Sequence, residues 1–137
     1  MRLTKFILML TVLNSNIALA ELPLNEYKKM VAITQCAFIA TLMDPSYRSQ
    51  KDVDTAFNNA IDIFKVNNAL MLELPYNPTE KELARDFAMH YQQSTSDLYD
   101  DMFSSIQKQG LPWTPKSWYS IASQYWDVKN CSVIINK

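Results

Sequence analysis

His90 is the sole histidine of the 137-residue chain. Glu82 and Asp86 precede it by eight and four residues, so on a helix the three share one stripe and neighbours along it can touch. An imidazole beside a carboxylate can move protons or help hold a metal ion. Neither the His-Glu-x-x-His pattern of zinc proteases nor the Glu-x-x-His pattern of di-iron bundles is present. Charged helix stripes ordinarily face water, and this one is read as a solvated face.

Asp97, Asp100 and Asp101 make a second cluster, with 97 and 101 one helical turn apart. Calcium loops need a glycine and a regular spacing of ligands, and both are missing. The cluster reads as an exposed face, with a contact patch for a basic partner as the functional alternative. The chain has no Gly-x-Ser-x-Gly elbow, no phosphate-cradling glycine loop, no Cys-x-x-Cys and no haem-attachment motif. The expectation is a protein with no catalytic residues, no metal and no cofactor.

The two cysteines, Cys36 and Cys131, are the only pair available. In an exported chain an even count suggests a disulfide, the alternative being two separate buried thiols. Three segments combine a proline with a helix start: Leu22-Pro23-Leu24-Asn25-Glu26, Leu74-Pro75-Tyr76-Asn77-Pro78 and Leu111-Pro112-Trp113-Thr114-Pro115. Proline keeps a helix from starting early, and Asn or Thr caps it. Tyr76 and Trp113 then either staple onto the helices they precede, Trp113 onto Trp118, or enter a partner's pocket from stiffened loops.

The elements that position these residues are helices. A first helix from about Glu26 to Met43 carries Tyr27, Val31, Thr34, Phe38 and Leu42 on one stripe and Ile33, Cys36, Ala40 and Met43 beside it. An apolar arc this wide marks it as central. Asp44-Pro45 ends it. A second, from about Lys51 to Asn67 or on to Leu72, starts at a capping box of Ser49 and Asp52. Its Val53, Ala56, Phe57, Ala60, Ile61 and Phe64 give the cleanest amphipathic pattern in the chain.

A third runs from Pro78 or Thr79 to just before Gly110, with Leu83, Phe87, Tyr91, Leu98, Met102 and Ile106 in phase. Its polar centre, Gln92 to Ser96, leaves open whether it is one helix or two recapped at Ser94 or Ser96. Gly110 is placed to be the left-handed residue past the end. A fourth, from Pro115 to about Lys129, shows Trp118, Ile121, Ala122, Tyr125 and Val128 as its apolar face. The β-branched tail from Cys131 to Ile135 is either a last helical turn or a short extended segment. With a single glycine, Gly110, the chain is poorly equipped for the tight turns of an all-β fold. The fold class expected is all-α: a compact bundle of four to five helices braced by one disulfide.

Residues 1–20 read as a cleavable export signal. Arg2 and Lys5 precede the apolar run Phe6 to Val12, and Ala18-Leu19-Ala20 puts small residues at the −3 and −1 positions of a cut after Ala20. The run is far shorter than the roughly 20 apolar residues that span a bilayer. Residues 21–137 would then form a single helical domain in the periplasm, with no membrane anchor. The signal carries two of the 13 basic residues and none of the 14 acidic ones, so the remainder has a net charge of −3. That balance disfavours a nucleic-acid partner, which would require a basic patch.

Tyr27-Lys28-Lys29-Met30-Val31-Ala32-Ile33-Thr34-Gln35-Cys36 resembles the first-helix pattern of the immunity proteins for type VI secretion amidase effectors. Asp127-Val128-Lys129-Asn130-Cys131 resembles the approach to their second cysteine. The likeness covers only these two ends. It implies a periplasmic inhibitor, able to form a homodimer, whose surface loop blocks a peptidoglycan amidase, a peptidoglycan hydrolase. The function expected is therefore a protein-binding inhibitor of the immunity type, with Tyr76, Trp113, Asp100 and Asp101 as contact residues. The alternatives are a periplasmic stress chaperone that binds clients through apolar surface, and a metal binder or enzyme built on Glu82, Asp86 and His90.

Overall fold

Five helices follow from these patterns: α1 (Ser15–Leu42), α2 (Gln50–Leu72), α3 (Glu80–Lys108), α4 (Pro115–Val128) and α5 (Cys131–Ile135). The computed structural model describes residues 15–136, with side chains from residue 24 onward. Among the described residues there is no strand, and the fold is a compact all-α bundle. No helix among them is long and apolar enough to cross a membrane.

Helix α1 packs against all four of the others. Its Ile33, Thr34, Cys36, Ala37, Ile39 and Ala40 are buried almost completely. Ala56 and Ala60 of α2, Leu98, Met102 and Ile106 of α3, and Ile121, Ala122 and Trp126 of α4 close around it. Ala37 and Ala40 of α1 and Ala56 and Ala60 of α2 are buried in the same core, and side chains this small allow helices to pack closely. The start of α1 departs from the sequence expectation by eleven residues. The helix begins at Ser15 rather than Glu26, crosses Ala20 and passes through Pro23. Pro23 is the ninth residue of the helix and has no N–H to offer the Leu19 carbonyl, a deficit typically worth about 3 kcal/mol. The proline therefore weakens this turn without ending the helix. The expectation that residues 1–20 lie apart from the fold falls largely on residues 1–14, outside the described residues.

The helix ends carry the capping chemistry that their sequences announce. Ser49 Oγ accepts from Asp52 N at 3.3 Å, and Ser49 N donates to Asp52 Oδ2 at 3.1 Å. Thr79 and Glu82 repeat the same reciprocal pair at α3. Gly110 has φ +63°, and the Leu111 and Gly110 amides donate to Ile106 O and Gln107 O at 3.1 and 3.0 Å. That is a Schellman ending, which satisfies carbonyls the helix leaves open. The polar centre of α3 does not break it. Thr95 Oγ1 donates to Tyr91 O and Gln35 Nε2 donates to Ser94 O, so the polar groups are satisfied within an unbroken helix and against α1.

The C-terminal segment is a short helix, α5, entered through Asn130 in the left-handed region. Cys36 and Cys131 are bonded and both fully buried. Asn59 Nδ2 donates to Ile135 O at 2.8 Å, which ties α2 to the same segment. Arg48 lays its guanidinium over the Trp126 ring at 4.0 Å and pins the α1–α2 connection to α4. One part of the α4 pattern is corrected here. Val128 has the phase of Ile121 but is 84% exposed, because it is the last residue of α4 and the chain turns away at Asn130. Trp126, four residues after Ala122, takes the buried position instead.

Candidate functional site

The stripe of Glu82, Asp86 and His90 does not act as a unit. Glu82 is committed to the cap of α3, where hydrogen bonds from Thr79 hold its carboxyl below the usual range. Asp86 accepts from the Tyr76 hydroxyl at 3.2 Å and from Arg85 at 2.9 Å. His90 is only 8% exposed, so the expectation of a solvated face fails at this residue. The helix turns His90 toward α1 and α2, whereas Glu82 stays in water. Among the described residues no group of three His, Cys, Asp or Glu side chains could hold a metal ion.

His90 lies against the Phe64 ring, with ring centroids 5.2 Å apart. Thr34 Oγ1 donates to Met30 O at 2.9 Å, which leaves its lone pairs to accept from His90 Nε2, also 2.9 Å away. The proton therefore sits on Nε2, and Nδ1 is left for the Ser94 hydroxyl at 3.4 Å. Burial holds the imidazole below its ordinary pKa, so the ring is neutral near pH 7. Beside it, between α1, α2 and α3, is an open cleft of about 420 Å³ walled by Tyr27, Met71 and Met89. Asn67 of α2 lies on this cleft, 3% exposed, with no hydrogen-bond partner for its Nδ2.

A second surface forms at the other end of α3. Trp113 stacks on Phe103 with centroids 4.5 Å apart, and Trp118 stacks on Tyr99 at 5.3 Å. Trp113 therefore staples to α3, and the expected Trp113–Trp118 contact is replaced by two parallel pairs. Trp113, Tyr99 and Phe103 remain 56%, 44% and 37% exposed. Tyr99 and Phe103 are one turn apart and lie just off the buried stripe of Leu98, Met102 and Ile106. A groove of about 380 Å³ opens beside the stacks, between Leu42 of α1 and Pro115 and Tyr119 of α4.

The four sequence-predicted contact residues do not gather in one place. Asp100 and Asp101 are both exposed. At about 100° per residue, Asp100 lies roughly 60° from Phe103 around α3, whereas Asp101 lies roughly 160° away. Asp100 thus flanks the aromatic stacks and Asp101 faces elsewhere. Tyr76 is half-buried, its ring edge-on to Phe64 at 6.1 Å and its hydroxyl on Asp86. Its anchor point is 17 residues from Phe103 along α3, about 25 Å. It fastens the α2–α3 connection to both helices.

Tyr99 and Phe103 are not among the residues that the helix periodicity picks out, and Trp118 enters it only as part of an apolar helix face. The available signal was phase: Tyr99 and Phe103 follow Leu98 and Met102 by one position each. Asn67 was also missed, although it is a polar residue three positions after Phe64 on an apolar stripe. Comparison of the chain with protein-family models, curated proteins and solved structures found no match in any of the three.

Proposed function

We propose that this chain is an exported protein-binding inhibitor of the immunity type, and that it blocks a cell-wall-degrading enzyme by docking the α3–α4 aromatic face against it. The observation that carries this reading is the pair of half-exposed stacks, Trp113 on Phe103 and Tyr99 on Trp118, set on helices beside the groove at Leu42. Tryptophan and tyrosine dominate binding hot spots because they bury large areas with few torsions to freeze. Here those torsions are already restrained by stacking, which lowers the entropy cost of docking. Asp100 beside the stacks and a net charge of −3 after removal of residues 1–20 favour a basic partner surface.

The mechanism is steric. A helical body braced by a buried disulfide presents a ridge of aromatic rings to the enzyme's cleft, and no bond is made or broken. The disulfide agrees with an oxidising destination. The reading predicts mature protein beginning at Glu21 in the periplasmic fraction, checked by N-terminal sequencing. It also predicts co-purification with a peptidoglycan hydrolase whose activity the chain inhibits. Full inhibition by a variant carrying both Trp113→Ala and Asp100→Asn would remove the face from the account.

A second reading is favoured by one observation. Val66, Leu70, Met71, Leu72 and Leu74, at the end of α2, are each at least half exposed. A stress chaperone would use such a surface to hold unfolded clients. It requires protection of a denaturing substrate from aggregation and apolar-dye binding that rises on acidification; an inhibitor requires neither.

A further inference from the structure

We infer that the cleft between α1, α2 and α3 at Asn67 is a binding site for a neutral, apolar molecule that carries an amide group. The argument begins with the Asn67 carboxamide. It is 3% exposed, lies on the cleft, and its Nδ2 has no acceptor. A buried donor without a partner typically costs about 1–3 kcal/mol, and such groups are rare in folded proteins. Asn67 also occupies a position that helix periodicity assigns to the core, three residues after the buried Phe64. An apolar residue there would relieve the deficit. Retaining a donor makes sense if an acceptor arrives from outside.

The surroundings define that acceptor's molecule. Met71 and Met89, 61% and 58% exposed, form adaptable apolar walls, and thioether side chains re-pack readily around varied shapes. They line the same cleft as Asn67. Asp86 stands at the rim. Its Oδ2 holds the Tyr76 hydroxyl and its Oδ1 holds Arg85, which offsets the charge; the lone pair left on Oδ2 can accept one more N–H, so a carbonyl reaching Asn67 should belong to a neutral group that also bears an N–H. An amide meets both requirements. The imidazole of His90 is neutral and committed to Thr34, so it adds no cation to draw in a carboxylate. About 420 Å³ is within the range of small-ligand sites and accommodates one apolar side chain with its flanking amides. None of these residues belongs to the α3–α4 aromatic face, so this inference does not rest on the inhibitory reading.

The test is an NMR titration of the full exported chain with N-acetyl-leucine amide at pH 7, with the free acid N-acetyl-leucine as the charged counterpart. The expected result is saturable shifts of the Asn67 side-chain amide and of Met89 and His90, with the Trp113 indole signal unmoved. The acid should bind at least tenfold more weakly, and Asn67→Leu should weaken the amide at least tenfold. Met89→Glu, a change at an exposed wall, should do the same and serves if Asn67→Leu fails to fold. Absence of saturable shifts, equal binding of acid and amide, or undiminished binding by both variants would overturn the inference. So would an Asn67 amide that contacts only a long-lived water and does not respond to the ligand.

Discussion

Removing the Cys36–Cys131 bond should cost this fold a large share of its stability while leaving its architecture intact. The bond joins residues 95 apart in sequence and encloses nearly the whole folded body. In the chain-entropy account, a loop of about this length restricts the unfolded chain by about 4.7 kcal/mol. Small domains are typically stable by about 5–15 kcal/mol, so the loss is a large share. Both sulfurs are fully buried against α1 and α5, so the double variant Cys36→Ala/Cys131→Ala also leaves a small void. The assay is urea unfolding followed by helical circular dichroism, with and without the bond. The midpoint should fall by an amount equivalent to about 4 kcal/mol. The slope with denaturant should rise, because an uncrosslinked chain exposes more surface when it unfolds. A loss under about 1 kcal/mol with an unchanged slope would refute the claim that the bond acts by restraining the unfolded chain.

Three further outcomes follow from individual contacts. His90 has a folded-state pKa below its unfolded value, so the unfolded chain binds the extra proton first. Stability should therefore fall as pH drops below about 6.5, by at most about 1.4 kcal/mol per pH unit, until the folded pKa is passed. His90→Gln should flatten that part of a pH–stability curve, and an identical slope in both proteins would count against the buried neutral imidazole. Thr79→Ala should remove the α3 cap and cost about 1 kcal/mol by thermal or chemical unfolding, with no loss of helix count. Gly110→Ala meets no atom within 4 Å, so its expected cost of about 1 kcal/mol is purely the left-handed backbone at φ +63°. A cost of several kcal/mol would mean that the space around Gly110 is tighter than described.

Helix positions were legible because their ends carry local chemistry. Ser49 with Asp52, Thr79 with Glu82, and Gly110 each fix a boundary through neighbours within four residues. The disulfide was legible because only two cysteines exist. What periodicity could not supply was the partner at each height along a helix. Val128 and Ile121 share a phase, yet one is exposed and the other buried. Trp113 was free to stack on Trp118 or elsewhere until α3 was placed, and Phe103 then proved to be its partner. His90 sits on a stripe with two carboxylates, and only the position of Thr34 across the interface shows that the imidazole turns inward. Continuity of α1 through Pro23 was hidden for a related reason: a proline marks a weak turn, and tertiary packing decides whether the helix carries on.

The inhibitory reading stands most directly on one measurement: inhibition of the co-purified peptidoglycan hydrolase by wild-type chain and by Trp113→Ala. The variant should retain the wild-type circular dichroism spectrum, since Trp113 is over half exposed. The account predicts that Trp113→Ala weakens inhibition at least tenfold, equivalent to about 1.4 kcal/mol of binding. Wild-type and variant curves that superimpose would contradict it.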